Sequence, residues 1–337
     1  SNVHVRHVGG YAMWLQEGAK NCIVERCVMR DLGGGGVRIG SMELSPQNAS
    51  VGVGAVRPPL VEASHNVLDA SRVVDGGHVF REGVGVLVHR SRYNNITRNE
   101  IAHLGYTGVS LGWEWGYAQP SGGGHNHVLD NFIHHIGRWE LADMGGVYVL
   151  GVAEGTAIEG NVIAHVASYH MYAWGIYLDE GDEGTISECL VDSNTNAGIS
   201  VYKTNLELAD SFITGNSIGI DAGEEALAGI QRTVIKDNSY EGGQGGISLS
   251  SADGSASLTL TESHLCGNPV GSAGALTSNQ VNTGYPSKQV IVNQGTVVEG
   301  SCQVTISVEQ DGSGDFTNIQ DAIDAAPIGA TVNLLGS

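Results

Sequence analysis

A short apolar alternation with a small polar residue at its fourth place recurs along this chain, and it constrains the fold more than any other feature. The copies begin with Val24-Glu25-Arg26-Cys27-Val28-Met29 and Leu68-Asp69-Ala70-Ser71-Arg72-Val73. They continue through Ile96 to Ile101, Val128 to Ile133, Ile158 to Ile163 and Ile186 to Val191, with weaker copies at Leu208 to Ile213 and Ile230 to Ile235. The marked place holds Cys27, Ser71, Asn99, Asn131, Asn161, Cys189, Ser211 and Thr233. Repeats at a fixed period signal stacked units that share one core. Small polar residues stacked at one place in successive units bridge inward turns, and Asn does so best because its amide both donates and accepts. A buried polar column is tolerable only when each member is paired, which a ladder provides.

A second strand follows in each unit, usually opened by glycine: Gly36-Val37-Arg38-Ile39, Gly85-Val86-Leu87-Val88, Gly108-Val109-Ser110-Leu111, and onward to Gly198-Ile199-Ser200-Val201. Its period of two sets one face inside and one outside. From Ser71 onward the marked places are 28, 32, 30, 28, 22 and 22 residues apart. A minimum of 22 suits a coil of three short strands, and the surplus in the middle coils loops outward to build a groove. The fold class expected is all-β: a single-stranded, right-handed parallel β-helix of the pectate-lyase-like kind. A βαβ protein would need helical runs that these glycine-rich intervals do not offer, and an antiparallel sandwich would not repeat in this register.

Composition agrees. Gly supplies 50 residues against 7 Pro, which fits frequent tight turns rather than linkers. A formal net charge of −20 repels phosphate backbones and anionic membranes, so no nucleic-acid partner is expected. No apolar run is long enough for a membrane span. The chain opens on a strand-like stretch, Val3, Val5, Val8, as a processed or trimmed protein would, and no signal peptide is expected within it. Of its five cysteines, Cys266 and Cys302 are able to pair across the C-terminal region, or all five are buried or isolated thiols. Gly33 to Gly36 is no phosphate loop, since neither Lys-Ser/Thr nor a helix follows.

Residues 1–250 are expected to form the solenoid, with a groove at about 99–190. In 251–337 the register blurs, although Leu258-Thr259-Leu260 and Val290-Ile291-Val292 stay strand-like. Ile319, Ala322, Ile323 and Ala326 lie at helical spacing, which predicts a short amphipathic capping helix over about 317–326, then a strand at Val332 to Leu334.

Aromatic and acidic residues crowd the middle coils, where four of five tryptophans fall between 113 and 174. A pyranose ring stacks its C–H face on Trp or Tyr while carboxylates accept its hydroxyls, and glycoside hydrolysis needs two carboxyl groups in different protonation states. The candidates for catalysis are Asp143, Asp179, Glu180 and Glu114. Those for substrate binding are Tyr106, Trp113, Trp115, Trp139, Tyr148, His170, Tyr172, Trp174, Tyr177, Tyr202 and Lys203. Asp143 precedes its strand and Asp179 follows the equivalent one, so Asp143 must fold back over the groove; otherwise Glu114 with Asp179 is the better pair. His103, His135 and His165 share one register on three coils, a stack open to metal binding or to hydrogen bonding along the solenoid, and His134 is a looser groove candidate. No metal site is expected, though the carboxylates are chemically able to hold Ca²⁺.

The stretch from Asn21 to about Asn196 resembles the β-helical glycoside hydrolases of family 141. The motifs are Asp31 to Gly40, Asn99 to Gly116, Asp143-Met-Gly-Gly-Val-Tyr-Val-Leu-Gly151 and Trp174-Gly-Ile-Tyr-Leu-Asp-Glu-Gly181. The resemblance implies hydrolysis of a glycosidic bond in a complex plant or algal polysaccharide, with no organic cofactor. It puts the aspartate pair at Asp143 and Asp179 and implies an exported or cell-surface protein; a monomer is expected. The alternatives are a lyase acting on a uronate-containing glycan and a non-catalytic carbohydrate-binding module. Asp311 to Ala326 resembles the opening of pectin-methylesterase-like β-helix domains, as a permuted cap or the start of a truncated second domain.

Overall fold

The computed structural model describes residues 1–41, 62–113, 122–170, 172–181, 183–238, 245–249, 256–268, 281–282, 289–292, 304–308 and 330–334. Three parallel sheets of ten strands each run the length of the described solenoid. Each coil visits the first sheet, the second and the third in turn, and every strand pairs in parallel with its counterparts one coil before and after. The first sheet begins at His4–Val8, the second at Met13–Leu15 and the third at Ile23–Glu25. The register persists past residue 250 through Ser257–Thr261, His264–Cys266 and Gln289–Val292. The expected strand at Val332 to Leu334 is present as Ala330–Leu334, paired in parallel with Val304–Val308. The expected capping helix, Cys302 and the Cys266 side chain lie outside the described residues; Cys22, Cys27 and Cys189 carry free thiols.

The recurring alternation is not one strand, as its pattern suggests, but two strands meeting at a corner. Ile23–Glu25 belongs to the third sheet and Val28–Leu32 to the first. Between them Arg26 takes a left-handed conformation (φ 50°), as do Arg98, Asp130, Glu188 and Asp210 at the same place in later coils. One left-handed residue reverses the alternation locally, so the next residue turns inward at the corner. Those next residues are the polar column. Asn99 Nδ2 donates to Asn131 Oδ1 at 3.0 Å and Asn131 Nδ2 to Asn161 Oδ1 at 3.0 Å, all three nearly solvent-free. Where the column holds Ser or Thr, the hydroxyl accepts from the preceding coil's backbone N–H, as Ser71 does from Cys27 at 3.0 Å. Two further asparagine ladders mark other turns: Asn66, Asn94 and Asn126, and Asn194, Asn216, Asn238 and Asn268.

Inside, like residues stack on like. Leu68, Ile96, Val128, Ile158 and Ile186 face one another across successive third-sheet strands and are at most 2% exposed. Parallel strands about 4.8 Å apart keep such columns in van der Waals contact along the whole solenoid. The glycine opening each second-sheet strand is required by contact with the next coil. A Cβ on Gly108 would lie 2.6 Å from the Gly146 carbonyl oxygen, and one on Gly146 would lie 2.5 Å from Ile163 Cγ2.

Candidate functional site

The middle coils carry the longest second-sheet strands, Met144–Leu150 and Ala173–Asp179. Ala173, Ile176 and Leu178 enter the core, whereas Trp174 and Tyr177 join a separate outer cluster. Residues three apart in a flat strand point to opposite faces; here both rings stay outside, with centroids 4.0 Å apart. Gly175 and Ile176 both face the core, so the alternation is interrupted there and the two rings meet on one outer face.

Asp143 immediately precedes the strand Met144–Leu150 in a left-handed conformation (φ 60°). Its N–H donates to the Tyr172 carbonyl at 2.7 Å, and the Tyr106 hydroxyl donates to its own carbonyl at 2.7 Å. Tyr106, expected to touch substrate, thus anchors the Asp143 backbone. A depression of ≈ 440 Å³ is lined by Asp143, Tyr172, Trp174, Tyr177, Ser200, Tyr202, Asp221 and Gly223. Ser200, Asp221 and Gly223 were not singled out from sequence. The first two occupy the outward place that Tyr177 holds one and two coils earlier, so coil register alone identifies them.

Asp179 lies beside Leu150 and Tyr202 on neighbouring coils and is 8% exposed. Tyr148, stacked on Tyr177 at 4.7 Å, donates its hydroxyl to Asp179 Oδ2 at 2.8 Å. Burial pushes the Asp179 carboxyl up to about 6; the Tyr148 and Tyr177 hydroxyls oppose the shift, and the charges of Glu180 and Asp143 add to it. Asp143 is also raised, by burial. Burial, followed by the neighbouring carboxylates, drives both tyrosines far above their ordinary value, so they remain donors.

Glu180 follows in a left-handed turn (φ 57°), 8% exposed, and its Oε2 is buried without a hydrogen-bond partner, as is the indole Nε1 of Trp174. Buried polar atoms are nearly always satisfied, so these two are exceptions. Tyr202 donates to Glu224 Oε2 at 3.2 Å, and Lys203 sits 3.3 Å from that carboxylate with its ammonium 5.1 Å over the Tyr202 ring. His170 stacks on Tyr172 at 5.9 Å beside the depression. Trp113 borders the outer cluster, 6.1 Å from Tyr148, with its indole N–H on Ser110 Oγ at 2.6 Å. Glu114 and Trp115 lie outside the described residues.

Trp139 does not join this site. Its left-handed backbone (φ 62°) and its N–H bond to the Ala167 carbonyl turn it into a second depression of ≈ 500 Å³, with His135 and His165. The expected histidine stack is real: His135 lies 5.0 Å from His103 and 4.9 Å from His165, ring to ring. His134 belongs with it on the first sheet rather than with the groove.

These features define a class, a three-sheeted parallel β-helix with an aromatic, acid-lined groove on its second sheet. Two overlapping stretches, residues 83–225 and 145–310, match the family described as right handed beta helix region; together they span more than half of the chain, and the chain belongs to that family. The solenoid expected from the repeats is thus borne out, including its hand. No curated protein matches the chain. Among solved structures, a glycoside hydrolase is similar at 22% identity and a TM-score of 0.48, over 59% of this chain and 35% of that one. Pectate lyase Pel9A is similar at 13% identity and 0.43, over 82% and 71%. The periplasmic alginate epimerase AlgG is similar at 12% and 0.40, over 87% and 74%. The chain spans about a third of that glycoside hydrolase, and likeness at such identities is one of fold.

Proposed function

We propose that this protein is a carbohydrate-active enzyme that hydrolyses a glycosidic bond, with Asp143 and Asp179 as its carboxyl pair. One observation supports the reading: Asp143 lines an aromatic depression, and behind its rings the buried Asp179, held by the Tyr148 hydroxyl at 2.8 Å, feels the Asp143 charge. Asp179, held near 6, is the general acid that protonates the leaving oxygen. Asp143, lining the groove, is the ionised partner that attacks the anomeric carbon or activates water. Trp174 and Tyr172, which line the groove, offer ring faces to the sugar. The family 141 motifs support the same pair, and the export implied by that resemblance suits a polymeric plant or algal substrate. No basic residue lines the groove among the described residues, which disfavours a lyase that must neutralise a uronate.

Turnover of aryl glycosides and of neutral and acidic polysaccharides, compared between wild type and Asp143→Asn and Asp179→Asn, tests the proposal. Each variant should lose at least about a hundredfold in kcat while still binding glycan. Unsaturated products would overturn hydrolysis in favour of elimination. Binding without turnover across the panel would make the groove a recognition site.

A further inference from the structure

On the outer face of the first sheet, away from the groove, histidines of two consecutive coils converge. The strands Glu100–Leu104 and Phe132–Ile136 pair with Ala102 opposite His134, which sets His103 level with His135. His103 and His135 are left-handed (φ 57° and 52°). That conformation lets Ile133 and Ile136 both enter the core while the adjacent His134 and His135 both stay outside. His134 Nδ1 then faces His135 Nδ1 at 2.8 Å, and all three imidazoles offer a ring nitrogen within 4.8 Å of one another.

The left-handed place itself explains only part of this. Along the solenoid it is filled by His7, Asp31, Asp75, His103, His135 and His165, residue types that tolerate positive φ. His134 has no such reason to be there. It occupies an ordinary strand place where its neighbours above and below are Ala102 and Ala164, and it completes the cluster. Two Nδ1 atoms 2.8 Å apart repel as bare lone pairs and need a proton or a cation between them. Glu100, fixed by a two-pronged pair with Arg72, lies 3.8 Å from His134 Nε2. A carboxylate on that side favours the proton on Nε2 and leaves Nδ1 free to coordinate, the outer-shell arrangement of metal-bound histidines.

We propose that His103, His134 and His135 bind a divalent transition metal of the zinc class, with water in the remaining position, cross-linking two consecutive coils. Tetrahedral bonds of about 2.0 Å place ligand nitrogens about 3.3 Å apart, between the 2.8 Å of the closest pair and the 4.8 Å within which all three lie. Three imidazoles and no carboxylate ligand select against Ca²⁺ and Mg²⁺.

The test uses the full chain, stripped with EDTA and dialysed, then titrated with ZnCl₂ by calorimetry and with CoCl₂ by visible absorption. The expected result is one equivalent of Zn²⁺, a rise in unfolding temperature with zinc, and the intense cobalt bands of a tetrahedral site. His134→Ala, which fits a row already built from alanine, and His103→Asn, which tolerates the left-handed backbone, should each weaken binding roughly tenfold or more. Their metal-free unfolding curves verify the fold, and His127→Asn on the third sheet should leave binding unchanged. Absence of stoichiometric Zn²⁺ binding, or binding of undiminished affinity in His134→Ala, would overturn the site.

Discussion

At the scale of the residue, Asp179 and Tyr148 form the unit whose chemistry is easiest to test. The Tyr148 hydroxyl bonds to the charged form of Asp179 and holds its pKa down against burial. If Asp179 is the acid, activity falls as pH rises through about 6. Tyr148→Phe removes the opposing hydrogen bond, so the basic limb of the kcat profile should move upward by on the order of one pH unit. An unmoved limb would show that another group sets it. Asp179 has a folded pKa above its ordinary 3.8, so it contributes stability below that value, and this is lost as pH rises through about 6. Asp179→Asn should accordingly flatten the change in unfolding temperature over that window, whatever it does to turnover.

At the scale of the element, the corner between third and first sheets carries the fold, and Asn131 stands in the middle of its asparagine ladder. It accepts from Asn99 N at 2.9 Å and Asn99 Nδ2 at 3.0 Å, and it donates to the Ile96 carbonyl at 2.8 Å and to Asn161 Oδ1 at 3.0 Å. Asn131→Leu keeps the volume but strands two buried donors of Asn99, at about 1–3 kcal/mol each. Urea unfolding should show a loss of about 3–5 kcal/mol. Asn131→Ser, which keeps an acceptor as Ser71 does, should lose less than half of that. Equal losses would mean that volume, not hydrogen bonding, governs the corner. This ladder was legible in the sequence because its chemistry is local and returns with every coil. The other two ladders have the same spacings and were equally readable, but an alignment on the strongest apolar alternation passes over asparagines that sit in turns. The corner itself was hidden, since one left-handed residue leaves no mark on an apolar pattern. The aromatic and carboxylate membership of the groove was legible from crowding on consecutive coils. Direction was not: Trp139 is four residues from Asp143, yet a left-handed backbone sends it to another face.

At the scale of the whole molecule, the solenoid is a rigid acidic rod. Its coils touch only neighbours, so a long flat face is held in one register and a polymer lying across it meets side chains from successive coils. The field along that face is negative: the chain carries −20 overall, and Asp143 and Asp221 line the groove itself. The most conspicuous cation beside it, Lys203, is engaged by Glu224. A polyuronate laid on this surface sets its own carboxylates against that field, a repulsion of about 1 kcal/mol per pair even in water at contact distance and more near a low-dielectric wall. A neutral glycan meets no such opposition and still gains the ring faces of Tyr172 and Trp174. Affinity measured on the Asp143→Asn protein should thus favour neutral over acidic polymers at low salt. Raising ionic strength from roughly 0.01 to 0.5 M shortens the screening length from about 30 Å to a few ångströms, and should narrow that gap by improving only the acidic ligand. Tighter binding of polygalacturonate or alginate than of neutral glycans at low salt would reverse the assignment. It would move the uronate-directed reading of the groove ahead of hydrolysis of a neutral chain.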